Sequence, residues 1–269
     1  MTVVDLDVWQ FRNLAKTRFV PGSQFNVISG PNGSGKTNLL EAIYLMANVR
    51  SFRPGPNTNL INFEGEETKL EARVQRASVI QTLSMHIEKG RKRLKVNNNV
   101  IKRFGDYLGQ LQAVIFSPSD LVIAKGSSKE RRRYLDRIIC HTKPAHLKDL
   151  QDFEQVLRLR NRLLKEGARD RTLLEIYDEQ FIDISSRILA RRLEASDQMS
   201  PLIRDVFQQV FGGKVEFSMF YQMSWTEKES LSEMKHIREE LTEALKNSFS
   251  LSCHRGITLV GPHRDDLLL

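Results

Sequence analysis

Cysteine is scarce: only Cys140 and Cys253 occur in the whole sequence. They stand far apart, with no partner at metal-ligand spacing. That favours a buried or incidental role for each over a disulfide or a zinc site. Long apolar runs are missing as well; no stretch approaches the roughly 18 residues that a membrane-spanning helix requires. Met1 to Trp9 has no basic segment leading into an apolar one, so the start does not read as a signal peptide. The six histidines form no metal-ligand cluster. These absences point to a cytoplasmic protein with no membrane partner. At 269 residues, with 40% hydrophobic and 28% charged content, the chain can bury a substantial core as one or two domains. Positive charge is in excess: 41 Lys and Arg against 33 Asp and Glu leave a net +8, which favours a polyanionic partner.

One segment constrains function more tightly than composition can. Gly30-Pro31-Asn32-Gly33-Ser34-Gly35-Lys36-Thr37 matches the Walker A phosphate loop at every defining position. The glycines allow backbone N–H groups to converge on a phosphate. Lys36 reaches the β- and γ-phosphates, and the Thr37 hydroxyl is placed to ligate Mg²⁺. Phe25 to Ser29 reads as a short buried strand leading into the loop. From Thr37 to Met46, apolar Leu39, Leu40, Ile43 and Met46 recur at helical spacing. A phosphate would therefore sit at a helix N-terminus, where unpaired donors and the macrodipole favour an anion. The sequence predicts that Gly30, Pro31, Asn32, Gly33, Ser34, Gly35, Lys36 and Thr37 bind ATP, with Thr37 on the metal.

The positive charge is clustered. Lys89-Gly90-Arg91-Lys92-Arg93-Leu94-Lys95 falls in an expected hairpin with Asn97-Asn98-Asn99 as its turn. Arg131, Arg132 and Arg133 open a helix, where a salt-bridge network competes with contact to DNA. Arg158, Arg160, Arg162 and Lys165 line another. Such clusters suit contacts to a phosphate backbone and carry no base specificity.

The chain reads in two regimes. Residues 1 to about 125 are mixed α/β, with strands expected at Val3–Trp9, Thr17–Val20, Thr68–Val74, Val79–Ile87, Arg93–Val96 and Ala113–Phe116. Residues 126 to about 254 are mainly helical. Ser127 and Glu130 form a capping box. Leu147, Leu150, Phe153, Leu157 and Leu164 share one face, and Leu174, Tyr177, Phe181, Ile184 and Ile188 share the next. Ser200 with Pro201 starts a shorter helix that Gly212-Gly213 ends. Val215, Phe217 and Met219 alternate like a strand, and Leu231, Met234, Leu241 and Leu245 resume helical spacing. Ile257 to Val260 returns to strand composition ahead of Gly261-Pro262-His263-Arg264-Asp265-Asp266. The organisation expected is an α/β head over 1–125, rejoined by 255–269, with a helical arm over 126–254 inserted.

Taken in order, several segments resemble the RecF family of bacterial recombination mediators, whose heads are ABC/SMC-type P-loop NTPases. They are Phe11-Arg12-Asn13, the phosphate loop extended through Asn38-Leu39-Leu40-Glu41-Ala42-Ile43-Tyr44, Ser51-Phe52-Arg53, and Phe116 to Leu121 with Lys125-Gly126. Arg131 to Asp136, Arg160 to Lys165 and Gly261 to Asp266 complete the series. The resemblance implies a DNA-binding ATPase of recombinational repair, replication restart and the SOS response. It implies an ATP-dependent homodimer that engages single-stranded, double-stranded and junction DNA, and that works with RecO and RecR to load RecA. It also places Arg12 and Asn13 near the nucleotide, against the alternative of an ordinary turn.

Two departures accompany the resemblance. Ser119 stands where the family carries an acidic residue before Asp120, and no role follows for either. The sequence ends at Leu269 with neither the family's signature motif nor its Walker B strand, so a shortened product and very slow hydrolysis are expected. Asp265 and Asp266 read as structural rather than as a substitute Walker B, because Gly261-Pro262 interrupts the preceding strand. Two other readings stand beside this one: a nucleotide-binding transporter subunit, and a non-hydrolysing nucleotide- and DNA-binding module.

Overall fold

The computed structural model describes residues 1–168, 170–226 and 234–269, apart from the side chains of Pro118 and Ser119. The chain packs as two compact units, Met1–Phe116 and Ser117–Leu269. The division falls ahead of residue 125, and residues 255–269 are gathered with the second unit.

In the first unit, period-two alternation produces six strands: β1 (Thr2–Phe11), β2 (Leu14–Phe19), β3 (Glu67–Arg76), β4 (Val79–Glu88), β5 (Arg91–Val96) and β6 (Asn99–Ile101). They form one antiparallel sheet in the order β2-β1-β3-β4-β5-β6. Asn97 and Asn98 both take positive φ, as the tight turn between β5 and β6 demands. One sheet face carries Leu6, Val8, Leu70, Val74, Leu83, Met85, Ile87 and Leu94. These close on Ala42, Leu45 and Met46 of helix α1 (Lys36–Asn48) and on Tyr107 of the short α2 (Phe104–Tyr107). The opposite face is polar, which is the usual arrangement of an antiparallel sheet packed on one side.

Two expected strands do not form. Phe25 and Val27 are 96% and 92% exposed, Val114 and Phe116 are 100% and 85% exposed, and none of them lies in a strand. Apolar composition suits a strand, but only neighbours that accept its backbone hydrogen bonds make one. Neither segment pairs with a described strand.

The second unit holds α3 (Val122–Lys125), α4 (Ser128–Thr142), α5 (Ala145–Lys165), α6 (Arg171–Phe211), β7 (Phe220–Gln222), α7 (Met234–Asn247), α8 (Phe249–Arg255) and β8 (Asp266–Leu268). The capping box starts α4 as expected, with the Ser127 N–H donating to Glu130 Oε2 at 2.8 Å. Helix α6 differs from the two helices anticipated. It runs unbroken for 41 residues through Pro201 and stops at Gly212, whose φ is +59°. Proline costs a helix one hydrogen bond, and the turns on both sides carry it here. The strands shift as well. Val215, Phe217 and Met219 precede β7 rather than form it, and Ile257–Val260 is irregular, with β8 pairing β7 farther along. Leu241 and Leu245 enter the core from α7; Leu231 lies outside the described residues.

Buried charge ties this unit together. Arg192 grips Asp136 through two bonds of 2.8 Å and also donates to Tyr221 Oη and the Pro262 carbonyl. Tyr221 Oη in turn donates to Asp265, which accepts from the Ser224 N–H as well. Burial pushes the Asp265 carboxyl up, whereas Arg192 and His146 outweigh burial at Asp136 and hold it below the usual carboxylate range. His263 packs against Phe153 and Phe181 and hydrogen-bonds the Thr258 carbonyl through Nε2, while its Nδ1 has no hydrogen-bond partner among the described residues. Burial drops its pKa from the ordinary 6.5 to about 4.

Two stability predictions follow from these contacts. Arg192→Met leaves Asp136 and Asp265 without their shared cation and should cost about 3–5 kcal/mol in urea unfolding. His263 is neutral in the fold but binds a proton when unfolded between pH 6.5 and about 4. Stability should therefore fall by on the order of 2–3 kcal/mol as pH drops through that window, and His263→Gln should flatten the slope; an equal slope in both proteins rejects the assignment.

Candidate nucleotide site

Helix α1 is placed by its apolar face on the sheet, and this decides where its N-terminus opens. Its first helical bond runs from the Leu39 N–H to the Gly35 carbonyl at 2.9 Å. The N–H groups of Lys36, Thr37 and Asn38 therefore have no helical acceptor. Gly35 caps the helix with φ +95°, and Gly33 has φ +81°. A Cβ on Gly35 would stand 2.6 Å from Leu14 Cδ2 and 2.9 Å from Asn13 Oδ1, whereas one on Gly33 would meet nothing within 4 Å. The loop thus packs tightly behind Gly35 and stays open at Gly33. Lys36 Nζ donates to the carbonyls of Gly30 and Pro31, each at 2.7 Å. An incoming phosphate oxygen can take over that ammonium.

The loop opens into a pocket of about 1130 Å³. Asn32, Gly33, Gly35, Lys36 and Thr37 line one part. Arg12 and Asn13 contribute from the β1–β2 turn, Arg53 from beyond α1, and Lys89 from the β4–β5 turn. Gly30, Pro31 and Ser34 shape the loop without lining the cavity. Asn13 donates from Nδ2 to the Gly33 carbonyl at 2.5 Å, and its Oδ1 accepts from Asn38 Nδ2 at 2.7 Å, so the turn is fastened to the loop. The sequence named Arg12 and Asn13 but could not see that Lys89, grouped there with the basic hairpin, faces this cavity. Asn38, Glu41 and Ser51, none of them singled out as a site residue, complete the hydrogen-bonded wall.

The other basic clusters divide once their partners are visible. Arg91, Arg93 and Lys95 alternate on the solvent face of β5, while Lys92 turns inward to the Val49 carbonyl at 2.6 Å. Burial, with Arg50 nearby, lowers the Lys92 pKa to about 8. Arg160 is fully buried on Asp178 and Thr258, so the row expected along α5 is not a continuous surface. Arg131 pairs with Asp266 through bonds of 2.8 and 2.7 Å, and Arg132 donates to the Asp265 carbonyl. Both aspartates of the Gly-Pro-His-Arg-Asp-Asp segment are thus engaged in structural bonds.

Known proteins resemble this chain over nearly its whole length. Residues 2–118 match the family model described as the RecF/RecN/SMC N terminal domain. The DNA replication and repair protein RecF of Citrifermentans bemidjiense is 34% identical over 99% of this chain and 72% of its own length. The chain belongs to the RecF family. RecF of Bacillus subtilis is 30% identical over the whole chain and 73% of its own length. A solved structure described as the recombination mediator protein RecF-ATPrS in the RecFOR pathway superposes with a TM-score of 0.91 at 32% identity, over 99% of this chain and 72% of that one. A second, described as RecF-ATP, gives 0.90. The architecture is accordingly that of a P-loop ATPase head of ABC/SMC type, and the transporter alternative falls away. Among the described residues no helix is long and apolar enough to cross a membrane.

Gly35→Ala tests the packing behind the loop. Positive φ and the contacts to Leu14 and Asn13 should together cost about 1–3 kcal/mol, read by thermal unfolding, whereas Gly33→Ala should cost less because only its φ is strained.

Proposed function

We propose that this chain is an ATP-binding, DNA-binding member of the RecF family that acts in recombinational repair and replication restart. The observation that carries the reading is the pocket itself: a glycine-shaped loop at an open helix N-terminus, facing Lys36, Arg12, Arg53 and Lys89. Four cations around one cavity suit a polyphosphate, and the helix dipole adds to them. In this reading Gly30, Pro31, Asn32, Gly33, Ser34, Gly35, Lys36 and Thr37 hold the phosphates. The Thr37 hydroxyl ligates Mg²⁺, which would neutralise phosphate charge when bound. Lys36 exchanges its two carbonyl acceptors for phosphate oxygens, and the Asn13–Gly33 bond keeps the loop in shape for that exchange.

Family membership supports the remaining parts of the proposal. They are a homodimer formed with ATP, engagement of gapped and junction DNA, cooperation with RecO and RecR in loading RecA, a place in the SOS response, and a cytoplasmic setting. On this chain the DNA-facing surface with the clearest support is β5, whose Arg91, Arg93 and Lys95 project from the open side of the sheet.

Two measurements test the reading. Lys36→Ala should remove ATP binding in isothermal titration while leaving the thermal melt unchanged; full retention of binding rejects the phosphate-loop assignment. DNA affinity should fall steeply with salt. Replacing Arg91, Arg93 and Lys95 together by alanine should flatten the slope of log K against log salt by about 2.7, the value for three lost phosphate contacts. An unchanged slope would move the DNA surface elsewhere.

A further inference from the structure

Glu41 is a carboxylate with no exposed surface, in the second turn of α1, and it touches no open space itself. Its surroundings are unusual for a helix residue facing a sheet. Arg12 donates to it from Nε at 3.2 Å and from Nη2 at 2.6 Å. Arg53 donates to it from Nη1 at 3.1 Å, and Ser51 Oγ at 2.6 Å. Both guanidiniums line the pocket, with side chains 19% and 37% exposed. The same Arg53 Nη1 reaches Asn38 Oδ1 at 2.7 Å, and Asn38 leads through Asn13 to the Gly33 carbonyl. One buried anion therefore anchors two arginines from different loops to the helix that starts at the phosphate loop.

The arrangement is costly in isolation and useful in combination. A buried carboxylate must be paired, and two guanidiniums with a hydroxyl satisfy its acceptor sites. Using Nε and Nη2 of Arg12 on Glu41 leaves its Nη1 without a hydrogen-bond partner among the described residues. Arg53 keeps Nε and Nη2 free in the same way. Arg12 itself is held with φ +54°, its N–H bonded to the Leu60 carbonyl at 3.0 Å, so its backbone is fixed too. Two cations so restrained lose little freedom on meeting a ligand.

We propose that Glu41 is a positioning residue: it holds Arg12 and Arg53 side by side as a preformed receptor for the phosphate chain of the nucleotide. The proposal rests on the nucleotide reading above and adds to it a residue that never meets the ligand. Two effects of removing the Glu41 charge have opposite signs, which makes the idea testable. Loss of an anion near the pocket raises the local positive potential and strengthens polyphosphate binding. Loss of the anchor frees two arginines and weakens it.

The experiment measures ATP and ADP affinities by isothermal titration for the 269-residue chain, as wild type, Glu41→Gln and Glu41→Asp, with thermal melts alongside. Glu41→Asp keeps the charge but withdraws it by one methylene. If Glu41 positions, both variants should bind ATP about tenfold more weakly, as expected for loss of one charge-assisted contact. Stronger binding by Glu41→Gln with unchanged binding by Glu41→Asp would mean that Glu41 only offsets charge, and would overturn the proposal. So would lower melting temperatures with unchanged affinities, the signature of a purely structural role. Should both variants unfold at the assay temperature, Arg53→Lys interrogates the partly exposed partner: weaker ATP binding is expected, and unchanged binding overturns the clamp. Absence of ATP binding by the wild-type chain would instead remove the nucleotide reading on which the clamp depends.

Discussion

The packing of α1 against the antiparallel sheet is the constraint on which the first unit depends. Ala42, Leu45 and Met46 can reach Leu6, Leu70, Leu83 and Met85 in only one rotational setting of the helix. That setting turns Glu41 inward, where it must find cations. It also fixes the helix N-terminus beside the β1–β2 turn, which brings Arg12 and Asn13 to the loop. Burial at roughly 25 cal/mol per Å² of apolar surface is non-directional. Directionality comes from the polar bonds that the packed helix then makes possible, through Glu41 on one side and Asn38 on the other.

Charge is managed differently in the second unit. Arg160 and Arg192 are both inside, each satisfied by an acid and by neutral oxygens. Replacing a buried ion pair by apolar groups is often neutral or stabilising, so these bonds are weak evidence for added stability. Their reach is more telling. Arg192 joins α6 to α4 through Asp136, to β7 through Tyr221, and to the turn before β8 through the Pro262 carbonyl. No apolar contact could hold a turn, a strand and two helices at one point with defined geometry. Buried Arg160 and Arg192 are matched by buried Asp149 and Asp265, so the interior removes from this surface particular arginines that a sequence pattern counts as exposed, and not net charge.

How much of this was legible in the sequence depends on whether a feature is local. The phosphate loop, the start of α1, the β3–β4–β5 meander and the Ser127–Glu130 capping box all announce themselves within a few residues, and all are present. Phe25–Ser29 and Ala113–Phe116 have strand composition, yet composition says nothing about which neighbour accepts the ladder bonds. Pro201 misled for a related reason. A proline marks a helix start only when the turn before it is not already helical, and here α6 arrives fully formed from Arg171. Arg160 sat among exposed-looking basic residues because helical periodicity does not distinguish a buried arginine with an acid from a solvated one. Glu41 was hidden in the same way. Its partners Arg12, Ser51 and Arg53 lie 29, 10 and 12 positions away, beyond the reach of any helical repeat.

The pocket's polarity follows from these long-range pairings. Arg12 and Arg53 face the cavity but have part of their charge answered by Glu41 from behind, whereas among the described residues Lys36 is answered only by two carbonyl dipoles. A carbonyl offers partial charge and a carboxylate a full one, so the lysine ammonium is the cation most readily transferred to a ligand. The arginines, still bonded to Glu41, would share their free edges without leaving their places. A site built this way separates two tasks on one wall. The mobile contact comes from a flexible lysine at the helix start, and the fixed contacts come from guanidiniums whose planar forks were oriented before the ligand arrived.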